Sequence, residues 1–266
     1  MPTLSLGQYD LVYNSLSFTI AAMGAAFVFF LLSRSTVGYR YQRVVEVAAI
    51  IVGIACYHYI RMFSSWIAAF THSGMGYTPT NELFNEAYRY ADWLLTVPLL
   101  IVEIISVIYV TGQHRSGLVS KLVIAAVLMI LLGYPGEVSA DATARFIWGT
   151  LSSVPFIYIV AVLWQEVGKA MERETEEVRS LLFIVRLVLL ASWGVYPIAY
   201  LLPLLHLDPA VALVGKQVGY SIADVVAKPA YGLLIYAIAR IKTQQEKTEA
   251  PDGAFAPRDG AVLAAK

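Results

Sequence analysis

Two residues of opposite charge, Asp224 and Lys228, stand four positions apart in the apolar segment SIADVVAKPAYG. On a helix, residues four apart share a face and lie ~6 Å apart along the axis. A lysine amine removed from water becomes a nucleophile that forms a Schiff base with an aldehyde. The pair therefore predicts a covalent attachment site for a carbonyl compound, with a simple buried ion pair as the alternative.

A second set of polar residues occupies the apolar segment YRYADWLLTVPLLIVE: Arg89, Asp92, Thr96 and Glu103. Asp92 and Glu103 are about three helical turns apart and share a face, ~16 Å from each other, with Thr96 one turn from Asp92. We expect Asp92, near Arg89, to be ionised and Glu103, among aliphatic residues, to be protonated. Two carboxyl groups at different depths predict two stations of a proton path; structural polar contacts between helices are the alternative.

Other residues complete the candidate set. His58, in ACYHYIRM, either shares a proton with a carboxylate or makes an interhelical hydrogen bond. Pro229 follows Lys228 and deprives the Val225 carbonyl of its usual helical partner, which predicts a local irregularity in that helix. Aromatic residues in three of the apolar segments, clustered beside prolines, predict a shaped cavity: Trp93, Trp148, Trp193, Tyr196 and Tyr200, beside Pro98, Pro155, Pro197 and Pro229.

The elements that position these side chains are long apolar segments. The chain of 266 residues is 58% hydrophobic and 14% charged, against about a quarter charged in soluble domains. A membrane-spanning helix needs about 20 mainly apolar residues. Seven segments qualify and predict an all-α membrane protein: 9–33, 43–67, 85–110, 118–137, 143–168, 178–205 and 211–240.

Charge and domain boundaries follow from the same pattern. The net charge is zero, which does not suggest a nucleic-acid partner, and the single cysteine, Cys56, excludes a multi-cysteine metal site; no metal is expected. We expect an extracellular N-terminal segment, 1–8, a seven-helix domain, 9–241, and a disordered cytoplasmic tail, 242–266.

Orientation follows from the distribution of basic residues in the short connections, which are richer in Lys and Arg on the cytoplasmic side. The basic residues concentrate in the odd-numbered connections and at the start of the tail, so we expect the N-terminus outside and the C-terminus in the cytoplasm. They are Arg34, Arg40, Arg43, Arg115, Lys121, Lys169, Arg173, Arg179, Arg240 and Lys242. Lys216, near the outer end of the last segment, has no role that the sequence indicates.

The combined motifs resemble microbial rhodopsins over about residues 8–242. A mid-membrane D-x-x-x-K in the last span and R-Y-x-D-W-L-L-T-x-P-L-L in the third are specific to that family. WGVYPIAY at 193–200, LGYPGE at 132–137 and QVGYSIAD at 217–224 are similar to the xanthorhodopsin branch of the xanthorhodopsin and proteorhodopsin group. The resemblance implies a light-driven outward proton pump, an ion transporter and not an enzyme.

The resemblance also assigns roles to the polar residues. It implies all-trans retinal bound to Lys228 as a protonated Schiff base, Asp92 as counterion and proton acceptor, and Asp224 as second counterion. Glu103 matches the cytoplasmic-side proton donor, and Asp92, Thr96 and Glu103 together fit the D-T-E pattern of outward pumps. His58 matches the histidine that bonds to the acceptor carboxylate in this branch.

The expected retinal pocket is carried over residue by residue. Leu100 matches the position where leucine accompanies green absorption in proteorhodopsins. The remaining matched positions are Trp93, Met129, Gly133, Trp148, Ser152, Trp193, Tyr196, Pro197 and Tyr200.

Gly149 stands where many relatives have a second tryptophan, directly after Trp148. A glycine there is expected to open a side window onto the retinal ring, as in xanthorhodopsins that bind a carotenoid antenna. A xanthophyll or keto-carotenoid is then the predicted second pigment. The alternative is a small residue that permits close helix packing.

Other functions compete with the pump. A sensory photoreceptor of the same fold is the first alternative, although it would typically lack a carboxylic donor at Glu103. An inward chloride pump would not normally keep aspartate at position 92, and the sodium-pump pattern is absent there. A transporter or receptor without chromophore would stay colourless when retinal is supplied. The resemblance further implies a multi-pass protein of the bacterial inner membrane that forms a homo-oligomer, a pentamer or a trimer.

Overall fold

The computed structural model describes residues 1–108, 113–205 and 207–249. Within these ranges, seven helices are long and apolar enough to cross a membrane, as the sequence predicts. The helical segments are α1 (Leu6–Ser33), α2 (Tyr39–Ala69), α3 (Ala87–Ile108), α4 (Gln113–Val138), α5 (Ala142–Met171), α6 (Glu176–Leu201), α7 (Pro209–Val225) and α8 (Tyr231–Glu249). The last two join through a π-helical turn, Val226–Ala230, and form the seventh span.

Successive helices pack side by side, and α7 returns to pack against α1, so the bundle closes into a ring. Large apolar side chains such as Phe18, Ile124 and Val154 are exposed on the outside of this ring. In a bilayer such a surface faces lipid, where no hydrophobic penalty arises. The polar side chains of interest lie inside the ring.

Short polar sequences begin several of the helices. Ser5 and Gln8 form a reciprocal capping box at the start of α1, with hydrogen bonds of 2.9 and 3.2 Å. Asp141 and Asp208 each accept two backbone N–H groups at the starts of α5 and α7. These side chains satisfy N–H groups that lack partners inside the helix.

A small antiparallel sheet covers one end of the bundle. Strand β2 (Phe70–Ser73) pairs with β3 (Gly76–Pro79), and β1 (Leu4–Ser5) adds to the outer edge of β3. Gly74 has φ of +63° in the two-residue turn, a conformation that glycine adopts without strain. We call this the hairpin end, and the opposite end, where α8 finishes, the tail end.

The third and seventh spans place their polar side chains at the centre of the bundle. Arg89, Asp92, Thr96 and Glu103 on α3 are at most 1% exposed. The seventh span is locally irregular around Pro229, as predicted, because proline has no N–H to continue the α-helical pattern. Lys228 lies within the resulting π-helical turn.

The end of α8 differs from the expectation of a disordered tail from residue 242. Residues 242–249 are helical and do not form the start of a disordered tail. Lys242 Nζ lies 2.5 Å from Glu174 Oε1, Thr243 Oγ1 accepts the Gly38 N–H at 2.8 Å, and the Tyr41 hydroxyl donates to Glu246 at 2.8 Å. These contacts with α2 and with the connections that precede α2 and α6 hold the last turns in place. Residues 250–266 lie outside the described part of the chain.

Candidate functional site

Lys228 is enclosed between two carboxylates. Its Nζ lies 2.5 Å from Asp92 Oδ2 and 3.1 Å from Asp224 Oδ1, and all three side chains are at most 1% exposed. The spacing of Asp224 and Lys228 within one helix was visible in the sequence. The approach of Asp92 from α3 is added by the packing of two helices.

The two carboxylates differ in the number of donors that hold them. Asp224 accepts hydrogen bonds from the Tyr59 hydroxyl at 2.7 Å, the Tyr196 hydroxyl at 2.6 Å and the Trp93 indole N–H at 3.2 Å. Asp92 Oδ1 is buried without a hydrogen-bond partner. Because hydrogen bonds to an ionised carboxylate stabilise it, these donors favour the anionic form of Asp224, whereas one oxygen of Asp92 has no such donor.

The structure does not form the expected bond between His58 and Asp92. His58 Nδ1 and Asp92 Oδ1 are both buried without a partner. The other oxygen of Asp92 accepts a charge-assisted hydrogen bond from the Lys228 ammonium. The orientation of the carboxylate is therefore set by Lys228.

The ion-pair partner of Arg89 also differs from expectation. Arg89 Nη1 lies 3.9 Å from Asp224 Oδ2 and donates to the Tyr59 hydroxyl at 2.9 Å. Its other terminal nitrogen donates to Gln217 Oε1 at 2.8 Å. The guanidinium thus lies on the hairpin-end side of the carboxylates and pairs with Asp224, because its side chain extends toward α7 and not along α3 toward Asp92.

Glu103 lies on the tail-end side of Lys228. Both of its carboxyl oxygens are buried without a hydrogen-bond partner, and the Tyr231 hydroxyl is in the same condition. Burying a charged carboxylate without a partner is costly, so this environment favours the neutral acid. Thr96, between Asp92 and Glu103 on the same helix, donates to the Asp92 backbone carbonyl at 2.9 Å.

An apolar cavity of about 210 Å³ begins at Lys228. Its walls include nearly all of the predicted pocket residues: Trp93, Leu100, Met129, Gly133, Gly149, Ser152, Trp193, Tyr196, Pro197 and Tyr200. Trp148 is the exception and does not line it. The Cβ of Trp148 lies beside Gly136 of α4, so this residue is directed toward the α4–α5 contact.

The cavity extends sideways between α5 and α6 to Phe146 and Leu201, which are 61% and 40% exposed. Gly149 lies in this opening beside the Tyr200 ring, and a Cβ at Gly149 would lie 2.6 Å from Tyr200 Cε1. A larger side chain would therefore have to displace Tyr200. The glycine leaves room both for that ring and for an opening toward the lipid.

The chemistry of the cavity fits an apolar aldehyde. An amine stands at one end, two carboxylates provide a negative environment for a protonated nitrogen, and the other walls are mainly aromatic and aliphatic. Such a site holds a long apolar molecule and fixes its polar end through a few placed groups. Retinal, which the resemblance implies, has these properties.

Sequence reasoning missed several residues that hold the site. Tyr59 and Gln217 contact Arg89, and Glu86 and Glu137 both contact Lys216. Gln217 lies on the helical stripe that carries Ser221, Asp224 and Lys228, which is a signal that the spacing offers. Glu86 and Glu137 lie near helix ends, where charged residues are ordinary, and no sequence signal distinguishes them.

Comparison with known proteins identifies the family. The profile described as Bacteriorhodopsin-like protein matches residues 12–242. Green-light absorbing proteorhodopsin from Gamma-proteobacterium EBAC31A08 is 32% identical over 246 residues, which cover 90% of this chain and 92% of that protein.

Two solved structures are also similar. The crystallographic structure of xanthorhodopsin, described as a light-driven ion pump with dual chromophore, has a TM-score of 0.87 and 49% identity, and covers 93% of this chain and 99% of its own. The crystal structure of thermophilic rhodopsin has a TM-score of 0.88 and 52% identity, and covers 92% of this chain and 99% of its own. This chain therefore belongs to the bacteriorhodopsin-like family and is a type 1 microbial rhodopsin.

Proposed function

We propose that this protein is a light-driven proton pump that carries all-trans retinal on Lys228 and moves protons outward. The observation that carries the proposal is the position of Lys228, which lines the cavity and whose Nζ lies between Asp92 and Asp224. The relatives support it, since one is a proteorhodopsin and another is described as a light-driven ion pump.

Lys228 and the cavity walls would hold the cofactor. When bound to Lys228, retinal supplies a light-driven isomerisation that changes the surroundings of the nitrogen proton. Asp224 stays ionised because three side-chain donors hold it. Asp92 accepts the proton, because one of its oxygens is without a partner. His58, whose Nδ1 is also unpaired, is proposed as the partner of Asp92 once Lys228 no longer binds that carboxylate.

Glu103 is the proposed donor that returns a proton to the Lys228 nitrogen from the opposite side. It is buried without a partner on the α3 stripe, so it holds its proton until the nitrogen becomes a strong base. Thr96 lies between the two carboxyl groups. Acceptor and donor on opposite sides of one nitrogen give the transport a direction.

The direction relative to the membrane rests on the basic residues. The tail end carries Arg34, Arg40, Arg173 and Arg179 in or beside the short connections, which favours a cytoplasmic location. With the tail end inside, Glu103 lies toward the cytoplasm and Asp92 toward the outside. The proposed location is the inner membrane of a bacterium, since one relative is from a gamma-proteobacterium.

The test is light-induced pH change in a suspension of bacterial cells that express the protein and receive retinal, with and without a protonophore. External acidification that the protonophore abolishes is the expected result. A coloured protein that gives no pH change would favour the sensory alternative. A colourless protein would remove the retinal assignment, and K228A cells serve as the colourless control.

We also propose a carotenoid antenna at the opening beside Gly149, with a xanthophyll or keto-carotenoid as the pigment. Support comes from the lateral extension of the cavity to Phe146 and Leu201 and from the relative whose description names a dual chromophore. In the test, retinal-loaded protein is mixed with hydroxylated or keto-carotenoids, and retinal fluorescence is excited through the carotenoid bands.

The expected result is energy transfer that G149W abolishes and V154W leaves intact. Val154 is 66% exposed on the same helix and is not among the residues that line the cavity. Absence of transfer with either class of carotenoid would remove the antenna.

A homo-oligomer, a pentamer or a trimer, remains an expectation from the resemblance. Native mass spectrometry of the protein in a mild detergent measures the number of subunits directly.

A further inference from the structure

Arg186 is a charged residue of the sixth span to which the proposed pump gives no role. It stands ten residues after Glu176, the first residue of α6, which corresponds to ~15 Å along the helix axis. In the described part of the chain, no hydrogen bond or ion pair joins its guanidinium to another residue, and its Nε is buried without a partner. Charged residues within spans are rare and usually paired. The guanidinium therefore indicates a site for a partner from outside the chain.

The neighbouring helix fixes the orientation of this guanidinium. Its Cζ lies 3.5 Å from the centroid of the Trp164 ring on α5. A Cβ built on Gly168 would lie 3.5 Å from Arg186 Nη2, and Gly168 is three residues before Met171, the last residue of α5. The side chain thus extends from its own Cα toward the tail end. Long basic side chains extend in this way in membranes to bring their charge to the level of the lipid headgroups.

The stacked arrangement leaves the edge of the guanidinium to meet a ligand. One face is covered by the indole ring, and the N–H groups lie in the guanidinium plane, where they match two oxygens of a phosphate group. Trp164 is 38% exposed, so the stacked pair is at the lipid-facing surface. Glu166, on the same stretch of α5, pairs with Lys169 at 2.7 Å and makes no ion pair with Arg186.

An apolar groove continues from Arg186 along the contact between α5 and α6. Its volume of about 20 Å³ is too small to enclose a ligand, but Leu190 on its wall is 47% exposed, so the groove meets the lipid. The groove also reaches Trp193, which lines the retinal cavity as well. The other walls are aliphatic: Val160, Leu163, Val167 and Leu189. A cation at one end and aliphatic walls beyond it complement a phosphate and an acyl chain.

We propose that this groove binds one anionic phospholipid of the leaflet at the tail end, with the phosphate on Arg186 and an acyl chain along the aliphatic walls. Basic pockets between spans bind anionic headgroups in this way. The tail end also carries most of the basic connections, which attract anionic lipids to this side of the bundle. The inference goes beyond the proposed pump and does not depend on the direction of proton transport.

Native mass spectrometry of the retinal-loaded protein in a mild detergent tests the binding. The protein is titrated with phosphatidylglycerol or with phosphatidylcholine of the same chains, which carries the same phosphate together with a compensating ammonium. We expect the first phosphatidylglycerol to bind at least about tenfold more tightly than phosphatidylcholine, and R186L to lose this preference. Inorganic phosphate should not displace the lipid, because it has no chain to occupy the groove.

R43L is the matched control. Arg43 is an exposed arginine near the start of α2, at the same end of the bundle, and it is not among the residues that line the groove. Its replacement removes the same charge and should leave the preference intact. G168L keeps Arg186 but places a side chain beside Nη2, and should weaken binding as R186L does. This second variant preserves the test if R186L does not form pigment.

Thermal bleaching in nanodiscs gives an independent measurement. A ligand that binds the folded protein raises its thermal midpoint. Adding phosphatidylglycerol to phosphatidylcholine nanodiscs should therefore raise the midpoint of the unsubstituted protein and of R43L, but not that of R186L.

Equal affinity of the unsubstituted protein and R186L for phosphatidylglycerol would overturn the inference, as would an equal loss in R43L, which would show a general effect of charge. Displacement by inorganic phosphate would show a phosphate site without a lipid and would also overturn it.

Discussion

At the scale of single residues, carboxyl groups of similar chemistry acquire different tasks from their partners. Asp224 accepts from Tyr59, Trp93 and Tyr196, whereas Asp92 has one oxygen without a partner. Glu103 has no partner at either oxygen. These three environments support the proposed roles of stable anion, proton acceptor and neutral proton donor.

Asparagine at position 92 should abolish pumping and move the absorption maximum to longer wavelength. The amide cannot take the proton, so light-driven acidification should fall by about 100-fold or more. The spectral shift is expected because an anion near the Lys228 nitrogen stabilises the ground state, in which positive charge lies there. Light-driven pH change and the visible spectrum test this. D10N, at an exposed position of α1, should change neither, and near-normal pumping by D92N would contradict the role of Asp92.

Glutamine at position 103 should slow the recovery of the dark state. Without an internal acid, the Lys228 nitrogen must wait for a proton from the cytoplasmic water, so recovery after a flash should slow by about 100-fold at neutral pH. A small membrane-permeant weak acid should restore the rate, because it carries a proton to the nitrogen. Flash photolysis measures both effects. E177Q, at an exposed glutamate of α6, is the control, and unchanged recovery in E103Q would exclude Glu103 as the donor.

At the scale of elements, close contacts between helices hold the polar residues of α3 opposite those of the seventh span. The π-helical turn, Val226–Ala230, sets the rotation at which Lys228 meets Asp92. Just beyond it, Gly232 packs against the Phe30 ring of α1. A Cβ on Gly232 would lie 2.7 Å from Phe30 Cζ, and Phe30 is fully buried.

Alanine at position 232 should therefore destabilise the bundle. Overpacking of a filled site costs about 1–3 kcal/mol, because the Phe30 ring has to move. The midpoint of thermal bleaching in detergent should fall for G232A. G194A is the matched control, since no atom lies within 4 Å of a Cβ built there, and its stability should stay the same or rise by up to ~1 kcal/mol. Equal midpoints for the two variants would show that the Gly232–Phe30 contact does not limit stability.

At the scale of the whole molecule, the bundle has two unlike ends. The hairpin end carries the small sheet and the buried Glu86–Lys216–Glu137 group, and the tail end carries most of the basic connections. Outward transport requires the hairpin end to face outside, since Asp92 lies on that side of Lys228.

Cysteine labelling tests this orientation. In a C56S background, a cysteine at position 75, where Met75 is 91% exposed in the hairpin, should react with an impermeant maleimide in intact spheroplasts. A cysteine at Glu177, at the start of α6, should react only after lysis. The opposite pattern would reverse the orientation and contradict outward transport.

The sequence by itself determined the seven spans, the irregularity at Pro229 and the shared faces of Asp224 with Lys228 and of Asp92 with Glu103. These features depend on hydropathy and on spacing within one helix, which local sequence encodes. Only the tertiary structure decided that Arg89 pairs with Asp224, that Trp148 turns toward α4 and that Lys216 bridges Glu86 and Glu137. Contacts between helices depend on how each helix is rotated and placed against its neighbours, and no pattern within a single segment specifies that placement.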